Sequence, residues 1–212
     1  MTKTASPLRR LGLAAIAPLT LLALSVPAYV QAAAADPAIA TVEAFTGSLI
    51  DAMKAGKAAG VDGRYKKLQP AVTAAFDLPA MTRFAVGPKW TTLSADDQAA
   101  LVKAFTRMSV ASWASNFDGW SGQSFKIDPN VVTRGTEKLI KTQIVTPKKD
   151  PVNLTFRVRQ SGSTWKVLDV LYLGGVSELA SKRSDFSATI DKGGAEALVK
   201  KINATADGLL KG

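Results

Sequence analysis

The spacing of apolar residues along the chain changes from a helical period to a strand period near residue 120. From residue 39 to residue 117, apolar side chains recur every three or four positions, which is typical of amphipathic helices. Residues able to cap helices stand where each periodic stretch begins. We therefore predict four helices: one from Asp36–Pro37 to about Ala55, a second bent at Pro70, a short third capped by Asp77, and a long fourth that begins at Ser94.

After Gly119 apolar and polar residues alternate, which predicts β-strands. The predicted strands are QSFKI, VVTR, Glu137–Pro147, Pro151–Gln160 and Ser163–Gly174, and Gln160–Ser163 is a hairpin turn. The last strand is apolar on both faces, as expected of a central strand; one predicted face carries Trp165, Val167, Asp169, Leu171 and Leu173. A return helix then runs from Ser177 to about Ile190 and continues after a break at Gly193–Gly194.

The order of elements predicts an α+β fold, in which helices pack on a strongly twisted antiparallel sheet. Such a sheet forms a cone with a hollow end and encloses an apolar cavity. Gly174–Gly175 ends the central strand, and Ser177 caps the helix that folds back across the cone. Arg183 lies on or beside the inward stripe of that helix. It either pairs with Asp169 or extends along the edge of the stripe into solvent.

The N-terminus has the parts of a secretory signal peptide. Three basic residues precede an apolar run over 11–30, and Val30 and Ala32 suit the −3 and −1 positions of a cleavage site. The alternative is a membrane-spanning anchor, but two prolines interrupt the run. We predict that residues 1–32 are removed and that 33–212 form a single domain; Sec and twin-arginine export both stay open.

Composition excludes most catalytic chemistry. The chain has no cysteine and no histidine, so thiolate nucleophiles, Ser-His-Asp triads and almost all zinc sites are excluded. Ser163-Thr-Trp-Lys166 resembles an S-x-x-K motif, but on a strand its serine and lysine point to opposite faces. Gly175-Val-Ser177 lacks the second glycine of a nucleophile elbow. The sequence predicts neither an enzyme nor a metal site.

The net positive charge of the chain indicates an anionic partner. Removing residues 1–32 takes away three of the 27 basic residues and no acidic ones, so the net charge falls from +10 to +7. The basic residues are scattered, and no basic-aromatic array of a nucleic-acid platform is present. An anionic membrane surface or a lipid phosphate is the better partner.

Two segments resemble the MlaC family, also called the toluene-tolerance auxiliary or phospholipid-binding family. They are FDLPAMTRFAVGPKW, residues 76–90, and WKVLDVLYLGGVSELASKRSDF, residues 165–186. The matching residues are Phe76, Asp77, Met81, Gly87, Trp90, Trp165, Asp169, Val170, Gly175, Val176, Ser177, Arg183, Ser184 and Phe186. The stretch LGGVSELASKRSDF, together with KGGAEAL, is most similar to the hopanoid-biosynthesis-associated HpnM branch.

The resemblance implies a monomeric periplasmic lipid carrier with an NTF2-like cone. It would hold the acyl chains of a phospholipid or hopanoid and need no other cofactor. It would exchange this cargo with an inner-membrane transporter of ABC or RND type and with an outer-membrane acceptor complex. Carriage is physically useful, because each exposed CH₂ costs ~0.8 kcal/mol in water. The competing hypothesis is an adaptor that links membrane complexes and holds no ligand.

These expectations define candidate site residues. The predicted cavity lining is Met81, Trp90, Val110, Trp113 and Phe117 from the helices, Leu139, Leu154, Phe156, Val158, Trp165, Val167 and Leu171 from the sheet, and Leu179 from the return helix. The predicted mouth or docking residues are Lys148, Lys149, Lys182 and Arg183, with little charge pairing. Asp77, Asp169, Gly175 and Ser177 are expected to be structural. Ser109 and Ser112, on the apolar face of the fourth helix, either permit a close helix crossing or leave room for a ligand.

Overall fold

The computed structural model of the protein describes residues 36–211, and the predicted signal peptide lies outside them. The α-helices are α1 (Pro37–Ala55), α2 (Gly60–Ala75), α3 (Leu78–Val86), α4 (Ala95–Asn116) and α5 (Glu178–Leu210), with short 3₁₀ turns at Lys57–Ala59 and Gly87–Thr92. The four N-terminal helices and the return helix are thus confirmed, and Pro70, where we predicted a bend, lies inside α2.

The helices begin at the capping residues that the sequence indicated. The Asp36 carboxylate accepts a hydrogen bond from the Ala38 amide at 3.0 Å, and Ser94 Oγ accepts one from the Asp97 amide at 3.1 Å. Asp77 caps α3, and its own amide donates to the Val167 carbonyl of the sheet at 2.9 Å. The junction between α2 and α3 is therefore attached directly to the sheet.

The sheet is antiparallel and has six strands: β1 (Ser124–Ile127), β2 (Val132–Arg134), β3 (Glu137–Val145), β4 (Val152–Ser161), β5 (Thr164–Tyr172) and β6 (Val176–Ser177). Its order is β1-β3-β4-β5-β6, with β2 also paired to β3. The short edge strand β6 was not predicted. Helix and antiparallel sheet together confirm the α+β class.

A β-bulge in β5 corrects the predicted face of that strand. Arg157 pairs with Asp169, but Val158 pairs with Val167, so Leu168 is an extra residue. An extra residue reverses the alternation beyond it. The residues aligned with the core face of β4 are therefore Trp165, Val167, Val170 and Tyr172, instead of the regular set that included Asp169, Leu171 and Leu173.

The helices cover one face of the sheet around an aromatic centre. The Phe45 ring contacts Phe76 and Trp113 edge to face, each with ring centroids 4.9 Å apart, and Phe156 of β4 at 6.2 Å. Such pairs add stability beyond the burial of their surface. The contacts join α1, α4 and the sheet in one core.

The return helix kinks where the sequence indicated a break. Gly194 has φ 68° and ψ −163°. This conformation lies outside the helical region, and its positive φ favours glycine. The segments on either side are otherwise helical, and α5 packs along α4. Among residues 36–211, no helix combines the length and the apolar composition needed to cross a bilayer.

Candidate functional site

A pocket of about 450 Å³ lies where α3, α4, α5 and the end of β5 meet. This volume is within the range of roughly 300–1,000 Å³ that is usual for ligand sites. Its apolar lining consists of Phe76, Met81, Phe105, Met108, Trp113, Phe117, Val170, Leu179 and Leu209. The pocket therefore offers an apolar interior between the helices and the sheet.

Polar side chains line another part of the same pocket. They are Ser109, Ser112 and Asn116 from α4, and Glu178, Lys182 and Thr205 from α5, together with Tyr172. Asn116 and Thr205 are exposed, so they mark the opening to solvent. An apolar interior with a polar opening suits an amphiphilic ligand.

The polar part of the pocket lining contains one charge pair, where we predicted little strong charge pairing. Lys182 Nζ lies 3.1 Å from Glu178 Oε1, one helical turn away on α5. Both side chains are partly exposed, so the pair contributes little to stability. Lys182 lines the pocket together with the Glu178 carboxylate that it contacts.

Burial changes the acidity of Tyr172 at the end of β5. Burial first, and the nearby carboxylates of Glu178 and Asp169 second, raise the pKa of the Tyr172 phenol from 10.0 to about 12. The neutral phenol is therefore the form that the folded protein prefers.

Stability should consequently fall as the pH rises from about 10 to about 12. In that window the unfolded chain releases the Tyr172 proton while the folded chain retains it, which favours unfolding. Thermal unfolding at pH 9 and pH 11 should show a smaller decrease for Tyr172→Phe than for the wild type. Equal decreases would contradict the raised pKa.

Four predicted cavity residues line the pocket: Met81, Trp113, Phe117 and Leu179. Five others lie in the buried core and not at the pocket: Val110, Leu154, Phe156, Val158 and Val167. A sequence pattern identifies an inward face, but packing density decides whether that face meets a side chain or empty space.

The remaining four predicted residues lie away from the pocket. Leu139 pairs with Arg157 on the opposite face of the sheet, and the β5 bulge places Leu171 on that face as well. Trp90 sits in the second 3₁₀ turn. Trp165 lies under the Lys138 ammonium, 4.3 Å from the ring centroid.

Several lining residues were not predicted from the sequence, among them Phe105, Met108, Val170 and Tyr172. Phe105 and Met108 belong to the apolar stripe of α4, four and one positions before Ser109, so the periodicity already contained them. Val170 and Tyr172 face the pocket only because of the bulge in β5, and the alternation of apolar and polar residues does not reveal that bulge. The serines Ser109 and Ser112 line the pocket, as the second of the two alternatives for them requires.

Asp169 joins the sheet to the return helix. Its carboxylate accepts hydrogen bonds from Ser177 Oγ at 2.5 Å, the Leu179 amide at 3.0 Å and the Val170 amide at 2.9 Å. Arg157 Nη2 lies 3.6 Å from it on β4. Ser177 Oγ in turn caps α5 by accepting from the Ala180 amide at 2.9 Å. These contacts set where α5 begins, beside the pocket-lining Leu179.

Arg183 is not the partner of Asp169. It is exposed, and its guanidinium lies 5.2 Å from the Phe84 ring centroid, close against Gly87. The cation–π contact leaves the charge in water, so of the two alternatives the solvent-facing one describes Arg183. Gly175, at φ 142°, lies in the turn that leads from β5 to β6.

Lys148 and Lys149 lie in the turn between β3 and β4 and are exposed. They do not line the pocket, but β4 begins at the end of the sheet where β5 ends. Within the described part of the chain, acidic side chains do not gather in groups of three that could hold a metal ion.

Comparison with known proteins identifies the family. A search of curated proteins finds no match. A solved phospholipid-binding protein from Ralstonia solanacearum, in complex with a phospholipid, shares the fold with a TM-score of 0.71 and 20% identity, over 82% of this chain and 99% of that chain. The family model for the MlaC protein matches residues 43–204. This match extends over most of the sequence, and the chain belongs to the MlaC family.

Proposed function

We propose that this protein is a periplasmic lipid carrier that holds acyl chains in the pocket between α4, α5 and the sheet. The observation that supports this most directly is the apolar cavity of about 450 Å³ with a polar opening, in a chain of the MlaC family. The acyl chains would contact Met108, Trp113 and Leu179, while the head group stays near Asn116 and Lys182.

The physical purpose is to remove a solvation barrier. Each methylene exposed to water costs ~0.8 kcal/mol, so a lipid with two chains crosses an aqueous compartment very slowly without a carrier. An apolar pocket lowers this cost and requires no covalent step. We therefore propose carriage without catalysis, which suits a chain that has no cysteine or histidine.

The cargo we favour is a phospholipid, because a solved protein with this fold is in complex with one. A hopanoid is the second candidate, favoured by the likeness of residues 173–186 to the HpnM branch. We further propose that the mature protein is a monomer that begins between Ala33 and Asp36. It would receive or deliver lipid at an inner-membrane transporter of ABC or RND type and at an outer-membrane acceptor.

Native mass spectrometry of protein purified from its own periplasm tests the carrier. We expect the mass of the mature polypeptide plus one lipid, and an organic extract that contains the same lipid. The extract also separates phospholipid from hopanoid, because only the phospholipid contains phosphorus. A bare polypeptide mass with no lipid in the extract would instead support the adaptor that links membrane complexes.

A further inference from the structure

The large apolar side chains that are most exposed gather at one end of the sheet. Among residues 36–211, the four with the highest exposed fractions are Leu173 at 87%, Val176 at 56%, Val152 at 49% and Trp120 at 48%. Exposed apolar residues are ordinary when scattered, but their concentration in one region indicates an interaction surface.

The strand register places these residues together. Val145 at the end of β3 pairs with Ser124 at the start of β1, and Ile144 pairs with Val152 at the start of β4. Tyr172 at the end of β5 pairs with Leu154, so the turn that holds Leu173 is adjacent to Val152.

Trp120 and Val176 complete this group. Trp120 precedes β1, and Gly122 in the same loop packs against Pro147 of the β3–β4 turn. The indole N–H of Trp120 donates to the Gln123 carbonyl at 3.0 Å, and the residue stays about half exposed. Val176 of β6 pairs with Tyr172 of β5.

The same end of the sheet carries three exposed lysines against the exposed carboxylates of Asp118 and Asp150, and it lies beside the pocket. Exposed Lys148 and Lys149 occupy the turn between β3 and β4, and Lys54 Nζ lies 5.4 Å from the centroid of the Trp120 ring. Tyr172 and Glu178, on either side of the Leu173–Ser177 segment, line the pocket. A partner that contacts this end would therefore meet the opening of the cavity.

We propose that this end of the chain is a docking face for an anionic lipid bilayer. The docking face consists of Trp120, Val152, Leu173 and Val176 with Lys54, Lys148 and Lys149. The apolar side chains lie on three different segments: the loop before β1, the start of β4 and the segment that leads from β5 into β6. Such separate tips suit a fluid head-group layer, which needs no matching shape, better than a folded protein partner. Lysines beside them are attracted to anionic head groups, and tryptophan is favoured at the interface.

Flotation with vesicles tests the docking face. The protein would be mixed at low salt with vesicles of phosphatidylcholine alone, or of equal parts phosphatidylcholine and phosphatidylglycerol. We expect it to float with the anionic vesicles and to be released at high salt. Trp120→Ser with Leu173→Ser should reduce bound protein roughly tenfold, because the inserted apolar surface is lost. Lys148→Glu with Lys149→Glu should reduce it by a similar factor and weaken the salt dependence.

The matched control is Phe84→Ser with Val132→Ser, which removes exposed apolar side chains outside the docking face. It should float like the wild type. Equal flotation with neutral and anionic vesicles, or no loss in the docking-face variants, would overturn the proposal. A third result would also overturn it: a wild-type protein that forms a dimer and binds no vesicles, with the dimer lost in Leu173→Ser. The docking face would then join two copies of the chain. Lipid carried in the pocket is measured separately by native mass spectrometry, so docking and carriage can fail independently.

Discussion

Ser112→Phe should empty the pocket of lipid while the protein stays folded. Ser112 lies on the pocket wall of α4 between Met108 and Asn116, and its small side chain leaves space in front of the sheet. A phenyl ring would occupy that space, and filling an existing void does not strain the surrounding core. We expect the fraction of protein that carries lipid to fall roughly tenfold, with the free energy of unfolding changed by less than about 1 kcal/mol. Native mass spectrometry and thermal unfolding measure the two effects.

Ser187→Phe is the matched control, because Ser187 is exposed on α5 and does not line the pocket. It should retain full lipid occupancy. If Ser112→Phe keeps its lipid at wild-type stability, the acyl chains lie elsewhere and the pocket is not the cargo site. Val158→Trp is a useful contrast, since Val158 is fully buried in the core and a larger side chain there should unfold the protein.

Asp169→Ala should destabilise the fold far more than Ser112→Phe. The substitution removes the acceptor of the Ser177 hydroxyl and of two backbone amides, and it leaves the Arg157 guanidinium without this buried carboxylate. Unsatisfied buried donors and a broken ion pair together cost roughly 3 kcal/mol or more. For a domain of this size, that lowers the unfolding temperature by about 6–12 °C.

Chemical denaturation of Asp169→Ala and of the exposed Asp118→Ala measures this difference. Asp118→Ala should unfold like the wild type, since its carboxylate lies at the surface. A loss below about 1 kcal/mol in Asp169→Ala would contradict the view that this carboxylate holds the start of α5 against the sheet. Lipid occupancy should also fall, because Leu179 and Lys182 of α5 line the pocket.

Local sequence signals predicted the elements of this protein. Asp36, Asp77, Ser94 and Ser177 cap helices because a side-chain oxygen next to free amides needs no distant partner. The change in the period of apolar residues after Gly119 separated the helices from the strands. This signal is local too, because periodicity depends only on residues close in sequence. The MlaC resemblance also needed no structure, because it rests on residue types and spacing.

The tertiary structure decided which apolar residues form a pocket and which fill the core. Val158 and Met108 are equally apolar in the sequence, yet Val158 meets packed side chains and Met108 meets a cavity. That difference depends on how closely α4, α5 and the sheet approach one another. The bulge at Leu168 likewise arises from pairing between strands, and it brings Val170 and Tyr172 into the position that alternation assigned to Asp169 and Leu171. The tertiary structure also decided which arginine lies beside Asp169. Arg157 reaches it across the β4–β5 pair, whereas Arg183 lies over the Phe84 ring in solvent.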